Sequence, residues 1–234
     1  MKTLKEVINI SPKEIIIGTI LSCLALGITF GIYLGRSTIP KPSHKNVPME
    51  LYIQDTIFTI NSDNYLNLRN LSHDGDMKKM SRSLNYKHPT IIAIANYLTR
   101  YSNSKEQEAE DIWFFVRNRT QPYPDSAIVK EENYVRDPLE TLVESYGDCE
   151  DDIGLAGSLM KARGIGVAIL GFNGHAMLGI KGNFQGKYFE HNGIKYYVAD
   201  SYIKTIWTTR RKEHNIGNIS EKYADSIPTI YPIK

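Results

Sequence analysis

The sequence predicts an α+β domain, because helical patterns dominate its first part and strand patterns its second. Apolar residues recur at helical spacing over Pro89–Arg100, Ser104–Arg119 and Cys149–Arg163. After residue 166 the apolar period falls to two, which is typical of strands. Helices that precede the strands, rather than alternating with them, indicate an antiparallel sheet against which the helices pack.

Capping residues predict where the helices begin and end. Ser104 can accept a hydrogen bond from the first turn of its helix, and Gln107 stands three residues later, as in a capping box. Asp137 is the expected cap of a short helix. The helix that begins at Cys149 is expected to end at Gly164, a residue that readily adopts the left-handed conformation of a helix terminus.

The second part of the chain contains several short strand patterns. The predicted strands are Val167–Phe172, Ala176–Lys181, Tyr188–His191, Ile194–Asp200 and Thr205–Thr208. Asn192-Gly193 predicts a tight hairpin between two of them. Earlier in the chain, Leu51–Ile60 is expected to form one strand, and the polar stretch Asn61–Asn85 an irregular loop or short helices.

Composition favours a globular protein without a nucleic-acid partner. The 234 residues are 41% hydrophobic and 23% charged, which argues against disorder. Residues 1–49 carry six basic and two acidic side chains, so 22 basic and 24 acidic side chains are left for the remainder. The body is therefore slightly acidic, and no basic face for nucleic acid is expected. The oligomeric state is left open.

A transmembrane helix is expected near the start of the chain. Ile15–Leu34 is a run of 20 residues without charge, long enough to cross the hydrocarbon core of a bilayer. The predicted organisation is a short tail over 1–14, a transmembrane helix over 15–35, a proline-containing tether over 36–49 and one domain over 50–234. The core of that domain is expected at about 88–205.

Two other interpretations of the apolar run are a buried core helix and a cleaved signal peptide. Neither is favoured, because the run is long and no A-x-A-like cleavage site follows it. Ile20–Cys23 resembles a lipoprotein cleavage site, but the apolar run continues well beyond Cys23. The short basic tail favours a cytoplasmic N-terminus and therefore an extracytoplasmic body, at the cell membrane.

The chain has two cysteines, and only Cys149 lies in the predicted domain. Neither a disulfide framework nor a zinc site is therefore expected. Cys149 lies at a predicted helix start, where unsatisfied N–H groups and the helix dipole would lower the pKa of a thiol. The same N–H groups could hold an oxyanion, and Gly147 allows a tight entry to the helix.

His175 and Asp200 complete the residue types that a thiol nucleophile needs. His175 lies at the start of one strand and Asp200 at the end of another, so the imidazole could deprotonate Cys149 and the carboxylate could orient the imidazole. Taken singly, the three residues could be an inert buried cysteine, a surface histidine and a solvated acid. Their order and their positions at element ends favour a catalytic triad.

Longer motifs resemble the transglutaminase-like superfamily, most closely its microbial cysteine proteins with a papain-type core. The residues that carry the resemblance are Asp111–Val116, Tyr123, Asp137–Leu142, Gly147–Asp151, Gly174–Ala176 and Tyr197–Asp200, and the similarity covers roughly residues 88–205. It implies that Cys149 is the nucleophile, His175 the general base and acid, and Asp200 the orienting residue.

The resemblance also leaves residues to place. Asp152 stands where relatives have an apolar or small residue, and Gln121 and Tyr134 are both candidates for the second oxyanion donor. Residues 205–234 lie beyond the similarity and are expected to form either a partner-binding tail or a solvated end.

The expected function is that of a membrane-anchored thiol hydrolase or acyltransferase acting on amide bonds of a protein or peptide. A peptidase or amidase is favoured over a cross-linking transglutaminase, because no dedicated amine site is apparent. The remaining alternative is a catalytically idle binding module at the cell surface. No cofactor is expected. Glu150, Asp151 and Asp152 could bind a cation. Hydrogen bonds from helix-start N–H groups or neighbouring loops to Glu150 and Asp151 are favoured instead, so no metal is expected.

Overall fold

The structure is a computed structural model that describes residues 48–61, 65–67, 76–122, 134–201 and 216–234. The described residues form a mixed domain in which helices pack against a five-stranded antiparallel sheet. The predicted α+β class is therefore confirmed. Strand order in the sheet is β7-β8-β6-β5-β9, so the strands are not arranged in the order of the chain.

The helices follow the predicted capping residues. They are α1 (Met77–Ser83), α2 (Pro89–Leu98), α3 (Lys105–Arg119), α4 (Pro138–Glu144) and α5 (Cys149–Ala162). Ser104 accepts a hydrogen bond from the Gln107 N–H at the start of α3, and Asp137 accepts one from the Leu139 N–H at the start of α4. Helix α1 lies in the polar stretch for which a loop or short helices were expected, and Asp76 caps it.

The strands form the large sheet and two small pairs. They are β1 (Pro48–Ile53), β2 (Thr56–Asn61), β3 (Gln121–Pro122), β4 (Tyr146–Gly147), β5 (Val167–Phe172), β6 (His175–Lys181), β7 (Tyr188–His191), β8 (Ile194–Ala199) and β9 (Thr229–Pro232). The predicted hairpin is confirmed, since Asn192 and Gly193 join β7 to β8 with φ angles of 52° and 75°. The predicted strand Thr205–Thr208 lies outside the described residues.

The prediction of a single strand over Leu51–Ile60 is wrong. The chain reverses at Gln54, which has a φ of 53°, and β1 and β2 pair as an antiparallel hairpin. The turn lacks the Asn-Gly or Asp-Gly dipeptide that normally marks such a reversal. Apolar residues on both sides of it therefore look like one continuous strand.

The C-terminal segment is not a solvated end. Strand β9 pairs with β5 as an edge strand of the main sheet, and Ile216, Tyr223 and Ile233 are buried. Pro232 at the end of β9 discourages a strand assignment from sequence, yet an edge strand tolerates proline because one side of its backbone faces away from the ladder.

Helix α5 is the centre of the core. Its residues from Asp151 to Met160 are all buried, because the helix contacts β6 on one side and α2, α3 and α4 on the others. A helix enclosed in this way has little freedom to shift. Its first residue, Cys149, is therefore held on a rigid element next to the sheet.

None of the described helices is long and apolar enough to cross a membrane. The predicted tail over 1–14, the predicted transmembrane helix over 15–35 and most of the predicted tether lie outside the described residues.

Candidate active site

The first turn of α5 is closed by reciprocal hydrogen bonds. The Asp148 carboxylate accepts a hydrogen bond from the Glu150 N–H (3.2 Å), and the Asp151 carboxylate accepts one from the Asp148 N–H (3.2 Å). Gly147 lies so close to Asp151 that an added Cβ would stand 2.5 Å from its Oδ2. A glycine is therefore required at 147, and its reason is contact with the helix start rather than an unusual φ.

His175 and Asp200 meet at the edge of two neighbouring strands. His175 begins β6 after a turn in which Gly174 has a φ of 72°, and Asp200 follows β8, the strand paired with β6. His175 Nε2 lies 2.9 Å from Asp200 Oδ1, with side chains 3% and 0% exposed. A hydrogen bond so well shielded from water fixes the orientation of the imidazole.

The C-terminal segment contacts both His175 and Asp200. These contacts were not predicted from the sequence. The Ser220 N–H donates to the second oxygen of Asp200 (2.9 Å), and the Tyr223 ring stacks on His175 with centroids 5.1 Å apart. Phe172 packs on the far part of the same cluster, 5.3 Å from Tyr223. No local pattern marks Ser220 or Tyr223, because their importance comes from a contact between distant parts of the chain.

The thiol of Cys149 lies between the sheet and an acidic side chain. A backbone hydrogen bond from Ala176, the residue after His175, reaches the sulfur and acts to lower its pKa. On the other side, Cys149 Sγ lies 2.7 Å from Glu150 Oε2, so the thiol proton is donated to the carboxylate. Cys149 is therefore adjacent to the first residues of β6, where His175 stands.

The predicted lowering of the Cys149 pKa is wrong for this conformation. Burial raises the pKa of the thiol, and the charges of Glu150 and Asp148 raise it further. A helix N-terminus supplies only about half a positive charge, which two nearby carboxylates outweigh. The cysteine described here is a protonated thiol.

A buried arginine stands beneath the same helix start. Arg136 Nη1 lies 2.6 Å from Asp151 Oδ2, and the Arg136 N–H donates to Asp151 Oδ1 (2.7 Å). Its Nε also reaches Glu144 (3.4 Å), which accepts a hydrogen bond from the Tyr65 hydroxyl (2.7 Å). The guanidinium thus compensates two carboxylates in the interior.

Asp152 is also paired with an arginine. Its Oδ2 lies 2.8 Å from Arg117 Nη1, which comes from the C-terminal part of α3. Burial raises the pKa of Asp152 to about 7, although Arg117 opposes the rise. The acid at this position is therefore matched by a cation on the neighbouring helix.

The acidic residues around Cys149 are engaged in different ways. Asp151 binds helix-start and arginine N–H groups, as expected for an acid at that position. In the described part of the chain, the ligand atoms of Asp148, Cys149 and Glu150 lie within 4.8 Å of one another. Asp148 already caps the helix, and Glu150 already accepts the thiol proton, so these atoms satisfy one another.

The two candidate oxyanion donors differ in position. Strand β3 pairs with β4 so that Gln121 stands opposite Tyr146 and Pro122 opposite Gly147, next to the turn that leads into α5. Tyr134 instead donates its hydroxyl to the Glu140 carboxylate (2.9 Å) in the interior. Of the two, Gln121 is the one beside the turn that leads into α5.

A cavity of about 600 Å³ adjoins the cluster that supports His175. Its lining includes Phe172, Tyr223 and Tyr231. Cys149 is not among the described residues that line it, so the cavity is separate from the thiol.

Comparisons with known proteins find weak similarity to solved structures, among them two proposed proteases. No family model and no curated protein matches the chain. A proposed protease of Parabacteroides distasonis is 17% identical over 46% of this chain and 23% of its own, with a TM-score of 0.37. A proposed cysteine protease of Cytophaga hutchinsonii is 16% identical over 70% of this chain and 53% of its own, with a TM-score of 0.38. The chain thus spans about a quarter and about half of these two proteins.

Proposed function

We propose that this protein is a thiol-dependent hydrolase that cleaves amide bonds, with a transglutaminase-like core. Cys149 is the nucleophile, His175 the general base and acid, and Asp200 the residue that orients the imidazole. The observation that carries the proposal is the buried hydrogen bond between His175 and Asp200, made at the start of the strand whose next amide reaches the Cys149 sulfur.

Asp200 determines which imidazole nitrogen can take a proton. A carboxylate only accepts hydrogen bonds, so its contact with Nε2 favours the tautomer that carries hydrogen on that nitrogen. The lone pair then resides on Nδ1, which becomes the base. The stacked Tyr223 ring restricts rotation of the imidazole away from this hydrogen bond.

Activation requires the thiol to exchange one acceptor for another. In the protein described here the thiol donates to Glu150, so Cys149 must leave that carboxylate before His175 takes its proton. The resulting imidazolium is stabilised by Asp200, and the thiolate by the Ala176 amide and the helix dipole.

The chemical steps follow from these positions. The thiolate of Cys149 attacks the amide carbon, and the oxyanion that forms accepts hydrogen bonds from the Cys149 N–H and from Gln121. An N–H in the first turn of a helix has no acceptor within that helix, which makes it suited to this role. His175 then gives its proton to the departing amine, leaving a thioester. Water, deprotonated by His175, releases the acid and restores the thiol.

An amine could replace water in the last step and give a cross-linking acyltransferase. We favour water, because the sequence motifs include no dedicated amine site. Incubation of the full chain with a peptide library and a fluorescent primary amine distinguishes the two. Hydrolysis yields free peptide acids, cross-linking incorporates the amine, and replacement of Cys149 by Ala must abolish either product.

A catalytically idle binding module is the second candidate, and the raised pKa of Cys149 favours it. A thiol held protonated against a carboxylate reacts slowly. The peptide experiment addresses this candidate directly. Binding of peptides with the same affinity to the parent and to Cys149→Ala, without any cleavage, would support the module and contradict the hydrolase.

A further inference from the structure

Arg136 is a charged side chain completely enclosed by protein, with 0% of the side chain exposed. Removing a guanidinium from water is costly unless its charge and its N–H groups are compensated. Two carboxylates, those of Asp151 and Glu144, accept from it. Such a buried ionic cluster has few alternative arrangements, so its members hold one another in position.

The cluster is joined to the turn that precedes the nucleophile, residues 146–149, here called the nucleophile turn. The Asp151 carboxylate accepts hydrogen bonds from the Arg136 N–H (2.7 Å) and from Arg136 Nη1 (2.6 Å). It also accepts one from the Asp148 N–H (3.2 Å). The peptide unit between Gly147 and Asp148 is therefore tied to Arg136 through one carboxylate.

A second contact reaches the other end of the nucleophile turn. The Arg136 guanidinium carbon lies 5.1 Å from the centroid of the Tyr146 ring, within the range of a cation–π contact. Between the two contacts lies Gly147, which leaves no room for a Cβ beside Asp151. A displacement of Asp151 would therefore be transmitted to the backbone of the turn.

We propose that Arg136 is a positioning residue that holds the nucleophile turn so that the Cys149 sulfur stays beside the start of β6. Arg136 acts through Asp151 and Tyr146 and touches no substrate. The inference rests on the proposed function, because the position of the Cys149 sulfur matters for catalysis only if Cys149 is the nucleophile. The displacement itself can be measured whether or not Cys149 is catalytic.

The test is the rate of iodoacetamide alkylation of the full chain across the neutral pH range, with the adduct assigned to the Cys149 peptide by mass spectrometry. Arg136→Lys keeps the positive charge but loses the planar fork that binds Asp151 on one side and Glu144 on the other. Arg117→Lys is the matched control, because Arg117 pairs with the next residue of α5, Asp152 (2.8 Å), on the α3 side. Thermal unfolding of both variants measures the loss of stability.

Arg136→Lys is expected to slow alkylation of Cys149 about tenfold and to shift the midpoint of its pH profile upward, because a displaced sulfur loses the Ala176 amide that acts to lower its pKa. A rise of about one pH unit in that pKa lowers the thiolate fraction about tenfold. Arg117→Lys is expected to keep the parent rate and midpoint even if it loses similar thermal stability. An unchanged profile in Arg136→Lys, or an equal change in both variants, would overturn the proposal.

Gly147→Ala provides a second route if Arg136→Lys does not fold. It removes no charge but forces a Cβ against Asp151, so it should reproduce the altered profile. A parent-like profile in a folded Gly147→Ala protein would overturn the proposal. His175→Ala is measured beside these variants. If it changes nothing, the catalytic pair is contradicted, while the comparison of Arg136→Lys with Arg117→Lys still decides the role of Arg136.

Discussion

At the scale of single residues, Cys149 is subject to two opposing influences. The helix dipole and the Ala176 amide favour the thiolate, whereas burial and the carboxylates of Glu150 and Asp148 favour the thiol. The second set prevails in the conformation described, so the thiol is protonated and rests against Glu150. Reactivity then depends on how readily that contact opens.

Replacing Glu150 by Gln should make Cys149 more reactive. The substitution keeps the size of the side chain but removes one of the charges that raise the pKa of the thiol. A fall of one pH unit in that pKa would increase the thiolate fraction at neutral pH about tenfold. Alkylation rates at Cys149 measure this increase in reactivity. Glu110→Gln, at an exposed position of α3, is the matched control. Equal rates in the two variants would show that Glu150 does not restrain the thiol.

Replacing Asp200 by Asn should impair catalysis more than stability. The Asn oxygen can still accept from the Ser220 N–H, but its amide N–H₂ would then face His175 Nε2 and donate to it. The imidazole would then carry its hydrogen on Nδ1, so that nitrogen could no longer take the proton of Cys149. Comparable tautomer errors cost on the order of 10⁴ in kcat.

The assay for Asp200→Asn is peptide cleavage together with thermal unfolding. Asp225→Asn is the control, because Asp225 is exposed in the same C-terminal segment. Retention of full cleavage by Asp200→Asn would exclude an orienting role for Asp200.

At the scale of elements, helix α5 brings together charges that the sequence places at neighbouring positions. Asp151 faces Arg136 on one side and Asp152 faces Arg117 of α3 on the other. The acids are visible in the sequence as one cluster, but their partners are not. Arg136 precedes α4 and Arg117 lies in the last turn of α3, so only the packing of three helices reveals which acid each arginine meets.

The burial of Asp152 between α3 and α5 should make stability depend on pH. The folded pKa of Asp152, about 7, lies above the ordinary aspartate value of 3.8, so the folded state binds the proton more tightly than the unfolded chain. The stability that protonated Asp152 contributes is therefore fully present below pH 3.8 and is lost as the pH rises through about 7. The loss is expected to reach a few kcal/mol at most.

Asp152→Asn tests this linkage, because it cannot ionise. Between mildly acidic and neutral pH, the free energy of unfolding of the parent should fall relative to that of the variant in urea titrations. A constant difference between parent and variant over this range would mean that Asp152 keeps an ordinary pKa.

Element types were predictable where local physics decides them. The caps Ser104 and Asp137 and the Asn192-Gly193 turn act within a few residues, and the helices and the hairpin they mark are present. The β1–β2 reversal at Gln54 and the edge strand β9 escaped prediction, because their stability comes from contacts with distant strands and helices.

At the scale of the whole molecule, the C-terminal segment folds back onto the candidate site and contacts its residues. Strand β9 closes one edge of the sheet, and Ser220 and Tyr223 reach back to Asp200 and His175. Cys149, His175 and Asp200 could be selected from sequence because their chemistry is distinctive. A backbone amide and a stacked ring have no such signature, so these supports are found only in the fold.

Membrane anchorage through residues 15–35 is a proposal about the whole molecule that rests on length and lack of charge. The full chain should stay in the membrane fraction after alkaline carbonate washing, which strips peripheral proteins. A variant without residues 1–41 should appear in the supernatant. Release of the full chain by carbonate would contradict a spanning segment. An added C-terminal tag that proteases reach from outside intact cells would support the extracytoplasmic orientation.

The central claim is that His175 controls the reactivity of Cys149. Its most direct test is the pH dependence of alkylation at Cys149, measured by mass spectrometry in the full chain and in His175→Ala. Because the pKa of the thiol is raised in the conformation described, the account predicts that reactivity at neutral pH depends on His175 taking the thiol proton once Cys149 leaves Glu150, and that this reactivity is lost in the variant. Identical profiles, with reaction only at alkaline pH, would contradict the pairing of Cys149 with His175 and leave the binding module as the better explanation.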